Sequence, residues 1–95
     1  MPTSGAEPEP VRIPIEDSLD LHAFAPADVR AVVDDYLCEA HARGLREVRL
    51  IHGRGIGVQR ASVQALLSRH PLVERYGDAP PERGGWGATL VLLAR

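Results

Sequence analysis

The sequence predicts an α/β fold with the element order β-α-β-α-β-β. Three observations carry this reading. Val29, Val32, Val33, Tyr36, Leu37 and Ala40 recur at the i, i+3, i+4, i+7 spacing of a helix that buries one face. The flanking runs, residues 18–22 and 45–51, have the alternation or the apolar, β-branched content of strands. The last run, residues 86–93, is apolar at nearly every position, as in a strand covered on both faces. A strand–helix–strand unit of this length implies parallel pairing with a right-handed crossover.

Taken in order, residues 1–10 are proline-rich, acidic and nearly free of large apolar side chains, so a disordered tail is expected there and the domain is placed at residues 11–95. Val11, Ile13 and Ile15 alternate with Arg12, Pro14 and Glu16 in an extended pattern, and Pro14 confines it to a sheet edge or a packed arm. In residues 18–22, Leu19 and Leu21 face one side while Ser18, Asp20 and His22 face the other, which reads as a short first strand. Pro26 suits the first position of the first helix, Asp28 complements its dipole, and Gly44 is placed to cap its end. Residues 45–51 form the second strand. Residues 56–70 hold the second helix, with Val63, Leu66 and Leu67 as its apolar stripe and Pro71 as its stop. Residues 72–76 read as the third strand and residues 77–85 as a long flexible connection. In the last strand, residues 86–93, Ala88, Leu90 and Leu92 alternate with Thr89, Val91 and Leu93.

Ninety-five residues make one small domain, able to bury roughly 60–65% of its unfolded surface. The single cysteine, Cys38, allows neither an internal disulfide nor a cysteine metal cluster, which suits a reducing cytoplasm. No basic-then-apolar leader opens the chain, and no apolar run is long enough to cross a membrane. The net charge of −2 is unevenly spread. Residues 1–43 carry three arginines and nine acids, whereas residues 44–95 carry eight arginines and four acids. Lysine is absent, so every side-chain positive charge at neutral pH is a guanidinium, the group best shaped for two-point phosphate contact.

The basic half contains the segment His52-Gly53-Arg54-Gly55-Ile56-Gly57-Val58-Gln59-Arg60, a glycine turn between a strand and a helix. Glycine lets backbone approach closely, and a helix start offers unpaired N–H groups and a positive dipole end. With Arg54 and Arg60, this reads as a phosphate-binding corner formed by Gly53, Arg54, Gly55, Gly57 and Arg60, with His52 on its lip. It is not a Walker A loop, since no Gly-Lys-Ser/Thr closes it. Nor is it a dinucleotide fingerprint, because the chain has no room for the second mononucleotide half. If the first two strands are parallel, Asp20, His22, His52 and the glycine turn all converge at their carboxyl ends, where open α/β sheets bind ligands.

Three separated motifs then align with one family. Leu19-Asp20-Leu21-His22 resembles the Leu-Asp-x-His motif of Smr (small MutS-related) domains. His52-Gly53-Arg54-Gly55 resembles their His-Gly-x-Gly motif, and residues 84–92 resemble their Gly-Gly-x-Gly-x-Thr-x-Val block. The resemblance covers residues 11–95. It implies a sandwich of a four-stranded mixed sheet and two helices, like the C-terminal domain of translation initiation factor three. It further implies nucleic-acid binding and, as in several members, endonuclease activity on DNA or RNA. By the same resemblance Asp20, His22 and His52 are the catalytic candidates, Gly53, Arg54 and Gly55 the phosphate-contacting loop, and Gly85 and Gly87 part of the third motif. Ala23 stands where the family usually has glycine after the first histidine.

Two histidines that titrate near neutrality suit general acid–base attack on a phosphodiester, with the loop and Arg54 neutralising the phosphate. With one carboxylate evident, Asp20, a metal-free route through an RNA 2′-hydroxyl is favoured over a two-metal route. No cofactor is required, and a divalent magnesium or manganese ion is the alternative that Asp20 could hold. Trp86, beside Gly85 and Gly87, reads either as a packing residue at the strand start, the commoner role, or as a surface on which a base could stack. A non-catalytic nucleic-acid-binding or protein-interaction module is the competing reading. No membrane partner is expected, and the oligomeric state is left open.

Overall fold

The computed structural model describes residues 17–53 and 58–95. The expectations for residues 1–16, and for Arg54, Gly55, Ile56 and Gly57, lie outside the described residues. Within them the elements are β1 (Ser18–Asp20), α1 (Val29–Ala42), β2 (Glu47–Ile51), α2 (Val58–Leu67), β3 (Val73–Asp78) and β4 (Ala88–Leu93). They form a mixed sheet in the order β1-β2-β4-β3. β1 pairs in parallel with β2, aligning Leu19 with Leu50 and Asp20 with Ile51. β2 and β3 each run antiparallel to β4. The predicted element order and the parallel first pair are therefore both present.

Alternation along the central strands decides which face is covered. Val48 and Leu50 of β2 and Thr89, Val91 and Leu93 of β4 are buried, and the register sets Val48 opposite Val91 and Leu50 opposite Thr89. Onto this face pack Val29, Val33, Tyr36, Leu37 and Ala40 of α1 and Val63 and Leu67 of α2. At about 25 cal/mol per Å² of apolar area, each fully buried Leu or Val contributes roughly 1.5–3 kcal/mol. On the opposite face Leu90 and Leu92 are only half-buried, so the expectation that both faces of β4 are largely buried holds for one face alone. That second face is crossed by the β3–β4 connection, where Arg49 donates to the Arg83 carbonyl at 2.9 Å and Arg83 pairs with Glu47 at 3.6 Å.

Gly44 ends α1 as its position in the sequence predicts. It takes φ of +83°, Gly44 N–H bonds to the His41 carbonyl, and Leu45 N–H bonds back to the Ala40 carbonyl. This 6→1 and 5→2 pair satisfies carbonyls that the helix end leaves open, and the positive φ favours glycine there. Several boundaries differ from the sequence reading, β2 starting at Glu47, α2 ending at Leu67 and β3 running to Asp78 among them. β1 stops at Asp20, and Leu21–Ala23 form a 3-10 turn instead of extending the strand. α1 is preceded by a separate 3-10 turn, Pro26–Asp28. The connection expected to be long and flexible is built from two more 3-10 turns, Pro81–Arg83 and Gly85–Gly87, tied by bonds from Arg83 and Gly85 N–H to the Pro80 carbonyl. Trp86 therefore lies in a turn ahead of β4 and not in the strand itself.

Candidate nucleic-acid site

The 3-10 turn after β1 is what aims the first histidine. Asp20 is its N-cap, and one carboxylate oxygen accepts both His22 N–H at 2.9 Å and His22 Nδ1–H at 2.7 Å. Leu21, wholly buried, anchors the turn in the core beneath them. Asp20 and His22 thus share one side, but through a capped turn and not through strand alternation. The backbone hydrogen bond from His22, then its ring hydrogen bond, hold the Asp20 carboxyl below the usual carboxylate range. An ionised Asp20 fixes the neutral ring with its proton on Nδ1, which leaves Nε2 as the reactive nitrogen. The pair is well exposed, with side chains 62% and 61% accessible. Among the described residues Nε2 has no hydrogen-bond partner.

Nε2 is directed at Gly53. A β-carbon on Gly53 would lie 2.7 Å from it, and Gly53 itself has φ of +82°. Two independent constraints, backbone conformation and the approach of the His22 ring, therefore favour glycine at this position. The turn is held from behind by Gly87, whose carbonyl accepts both His52 N–H at 3.1 Å and Gly53 N–H at 2.8 Å. Ala23, at the third position of the 3-10 turn, is exposed, so its methyl group is not packed into the core.

His52 is placed differently from the sequence expectation of a histidine on the lip. It is 5% exposed, and both ring nitrogens are engaged. Nδ1–H donates to the Gly53 carbonyl at 3.0 Å, and Nε2 meets the Thr89 hydroxyl at 2.8 Å. A carbonyl only accepts, so the neutral ring carries its proton on Nδ1 and Nε2 accepts from Thr89. The Thr89 oxygen in turn accepts from Gln64 Nε2 at 3.2 Å. Gln64 also donates to Asp78, and Asp78 receives Nε–H and a terminal N–H of Arg60, each at 2.8 Å. The Arg60 hydrogen bond is the main cause of an Asp78 carboxyl held below its ordinary range. Arg60, expected at a phosphate, thus has its fork occupied by Asp78 and lies over the Trp86 ring, 5.6 Å from its centre.

The residues expected at the site do not all come together. Asp20, His22 and Gly53 meet at the open corner. His52, Gly87 and Arg60 form or support its brace, and Trp86 stands exposed beside it. Arg54, Gly55 and Gly57 fall outside the described residues, and Gly85 takes a positive φ of +57°, a conformation that favours glycine. Gln64 and Asp78 are absent from the sequence expectation. Their one signal was position: Gln64 follows Arg60 by four residues, so both lie on the same face of α2.

A cation at the corner would have to share Asp20, whose contacting oxygen is already bonded twice to His22. Elsewhere among the described residues, ligand atoms of Asp34, Cys38 and His70 lie within 4.8 Å of one another. There His70 Nδ1 accepts Leu72 N–H at 3.1 Å and Nε2 meets Asp34 at 2.7 Å. The neutral ring therefore carries its proton on Nε2, which occupies the nitrogen that a metal would need, and the cluster fits a latch from α1 to the segment after α2.

The Smr domain profile matches residues 19–94. Endonuclease MutS2 of Thermus thermophilus is 43% identical over 75 residues, which cover 79% of this chain and 10% of that protein. Endonuclease MutS2 of Clostridium tetani is 39% identical over 79 residues, 83% of this chain and again 10% of that protein. The chain thus spans about a tenth of the length of these relatives. The crystal structure of the Smr domain of Thermus thermophilus MutS2 superposes with a TM-score of 0.80 at 40% identity, covering 84% of this chain and all of that one. YdaL, a stand-alone small MutS-related protein from Escherichia coli, gives 0.77 at 33% identity, covering 83% of this chain and 65% of that one. No helix among the described residues is long and apolar enough to cross a membrane. Sequence profile, relatives and architecture agree, and the chain belongs to the Smr domain family.

Proposed function

We propose that the chain binds nucleic acid at the Asp20–His22–Gly53 corner and cleaves a phosphodiester there, with His22 Nε2 as the group that moves the proton. The observation that supports this most directly is the open dyad. Asp20 holds Nδ1, while Nε2 is presented at a tight glycine turn. Asp20 orients the ring and stabilises the imidazolium formed when Nε2 takes a proton from the attacking hydroxyl or water; as the new P–O bond forms, the P–O bond to the leaving group breaks and that oxygen takes up a proton from the imidazolium or from solvent. His52 holds the turn and does not itself take part in proton transfer. Arg54 and the following glycines remain the proposed phosphate contact. Further cationic surface is available where Arg30 and Arg69 line a groove of about 420 Å³ between α1 and α2.

The relatives named endonuclease MutS2 support nuclease chemistry as the reading, in a cytoplasmic setting that the single cysteine suits. Asp20 Oδ1 is spent on orienting His22, which suits acid–base work. If a magnesium or manganese ion does bind, Asp20 is the residue to hold it, and the ion would supply charge neutralisation at the phosphate.

The test uses end-labelled single-stranded RNA, duplex DNA and branched DNA, with wild type, His22→Ala and Asp20→Asn, in magnesium and in chelator. Cutting by wild type with a roughly 10²–10⁴-fold loss in His22→Ala is the expected result. Activity retained in chelator supports the metal-free route. Salt-sensitive binding of these nucleic acids without cutting of any of them would leave a binding module instead.

A further inference from the structure

Trp86 combines two properties that are usually opposed. It is the most exposed of the large apolar side chains described, at 46%, yet one of its neighbours is tightly fixed. The Arg60 guanidinium lies over the ring at 5.6 Å and is itself clamped by two hydrogen bonds of 2.8 Å to Asp78. A guanidinium over an indole face is a favourable cation–π contact, and one whose partner is already oriented restrains the ring. Trp86 is also adjacent in sequence to Gly87, whose carbonyl secures the Gly53 turn against which His22 Nε2 is set. An exposed aromatic side chain is therefore carried by the residue next to the carbonyl that secures the corner.

We propose that Trp86 is a stacking platform for an unpaired base, and that the chain accordingly prefers single-stranded or locally unpaired nucleic acid over continuous duplex. This rests on the nucleic-acid reading above and adds the substrate class. A base within a duplex has its faces occupied by neighbouring base pairs, so an exposed indole can stack only on a base that is unpaired or displaced. Stacking tolerates any base, since each has a π face, so the platform selects strandedness and not sequence. Arg60, its fork spent on Asp78, contributes by holding the ring. In the Gly-Gly-x-Gly motif Trp86 occupies the position that the motif leaves open.

Trp86 is the single tryptophan of the sequence, so its emission reports this site alone. Oligothymidylate, oligouridylate and a blunt DNA duplex are titrated into the intact chain at low salt, with binding measured in parallel by anisotropy of labelled strands. Single strands are expected to quench the emission and the duplex to leave it nearly unchanged. Trp86→Ala is expected to weaken single-strand binding about tenfold, with duplex binding unaffected and Trp86→Phe restoring most of the loss. Salt-sensitive binding with no change in emission, equal quenching by duplex, or unaltered single-strand affinity in Trp86→Ala would overturn the platform while leaving the nucleic-acid reading intact. Binding of none of the probes would overturn both.

Discussion

His22 and His52 follow the carboxyl ends of adjacent parallel strands, and the structure uses them in opposite ways. His22 is exposed on an ionised Asp20 with Nε2 unbonded among the described residues, whereas His52 is buried with a partner on each nitrogen. His70 provides a third case: its contact with Asp34 has the same 2.7 Å length as the Asp20–His22 pair, but its second nitrogen is also bonded. A histidine–carboxylate contact therefore does not identify a reactive histidine. What distinguishes the open corner is the nitrogen left over, and the most direct way to test the contrast is to remove each ring and ask what is lost.

The largest stability effect is expected at His52. His52→Ala removes a buried ring, leaves the Gly53 carbonyl and the Thr89 hydroxyl without it, and opens a cavity, a loss of about 3 kcal/mol by urea unfolding. His22→Ala removes an exposed side chain and should leave the unfolding midpoint nearly unchanged while activity falls. If the two variants were equally destabilised, the division into a reacting and a bracing histidine would fail.

Gly53→Ala probes the point where the two regions touch. The added methyl group would meet His22 Nε2 at 2.7 Å and impose a side chain on φ of +82°. The backbone strain costs about 1–2 kcal/mol. The exposed ring can swing aside, so the expected outcome is a folded protein that binds nucleic acid and has lost most of its cleavage. A displaced His22 ring resonance in a proton–nitrogen correlation spectrum would report that movement. Cleavage at the wild-type rate would show that the close approach of ring and turn is not used.

Much of this architecture is legible in the sequence because it depends on local spacing. The α1 stripe, the Gly44 cap and the parallel β1–β2 pair all follow from residues within a few positions of one another or from a short crossover. The turn at Leu21–Ala23 was hidden because apolar Leu21 between polar Asp20 and His22 imitates strand alternation. The burial of His52 was hidden for a different reason. Thr89 lies 37 residues away, and no local pattern distinguishes a histidine that will meet a hydroxyl from one that will meet solvent. Likewise Arg60 reads as a free cation until β3 brings Asp78, 18 residues later, alongside α2.

Asp78 allows the smallest but most specific test, because both acidic anchors are shifted downwards for different purposes. Asp20 is held down by the histidine it orients, and Asp78 chiefly by the Arg60 hydrogen bond that fixes the far end of the brace. A carboxyl whose pKa is lower in the folded than in the unfolded chain stabilises the fold fully above its unfolded value, about 3.9, and loses that contribution as pH falls through the folded value. Asp78→Asn should therefore be slightly less stable than wild type at neutral pH, the effect being small because the ion pair is partly exposed. On acidification below about pH 4 the gap should close, since wild type then surrenders the charge that the variant never had. Urea midpoints across pH 2–7 measure this, and a gap that persists at pH 2 would assign the Asp78 contribution to neutral hydrogen bonding with Gln64 and Arg60 in place of charge.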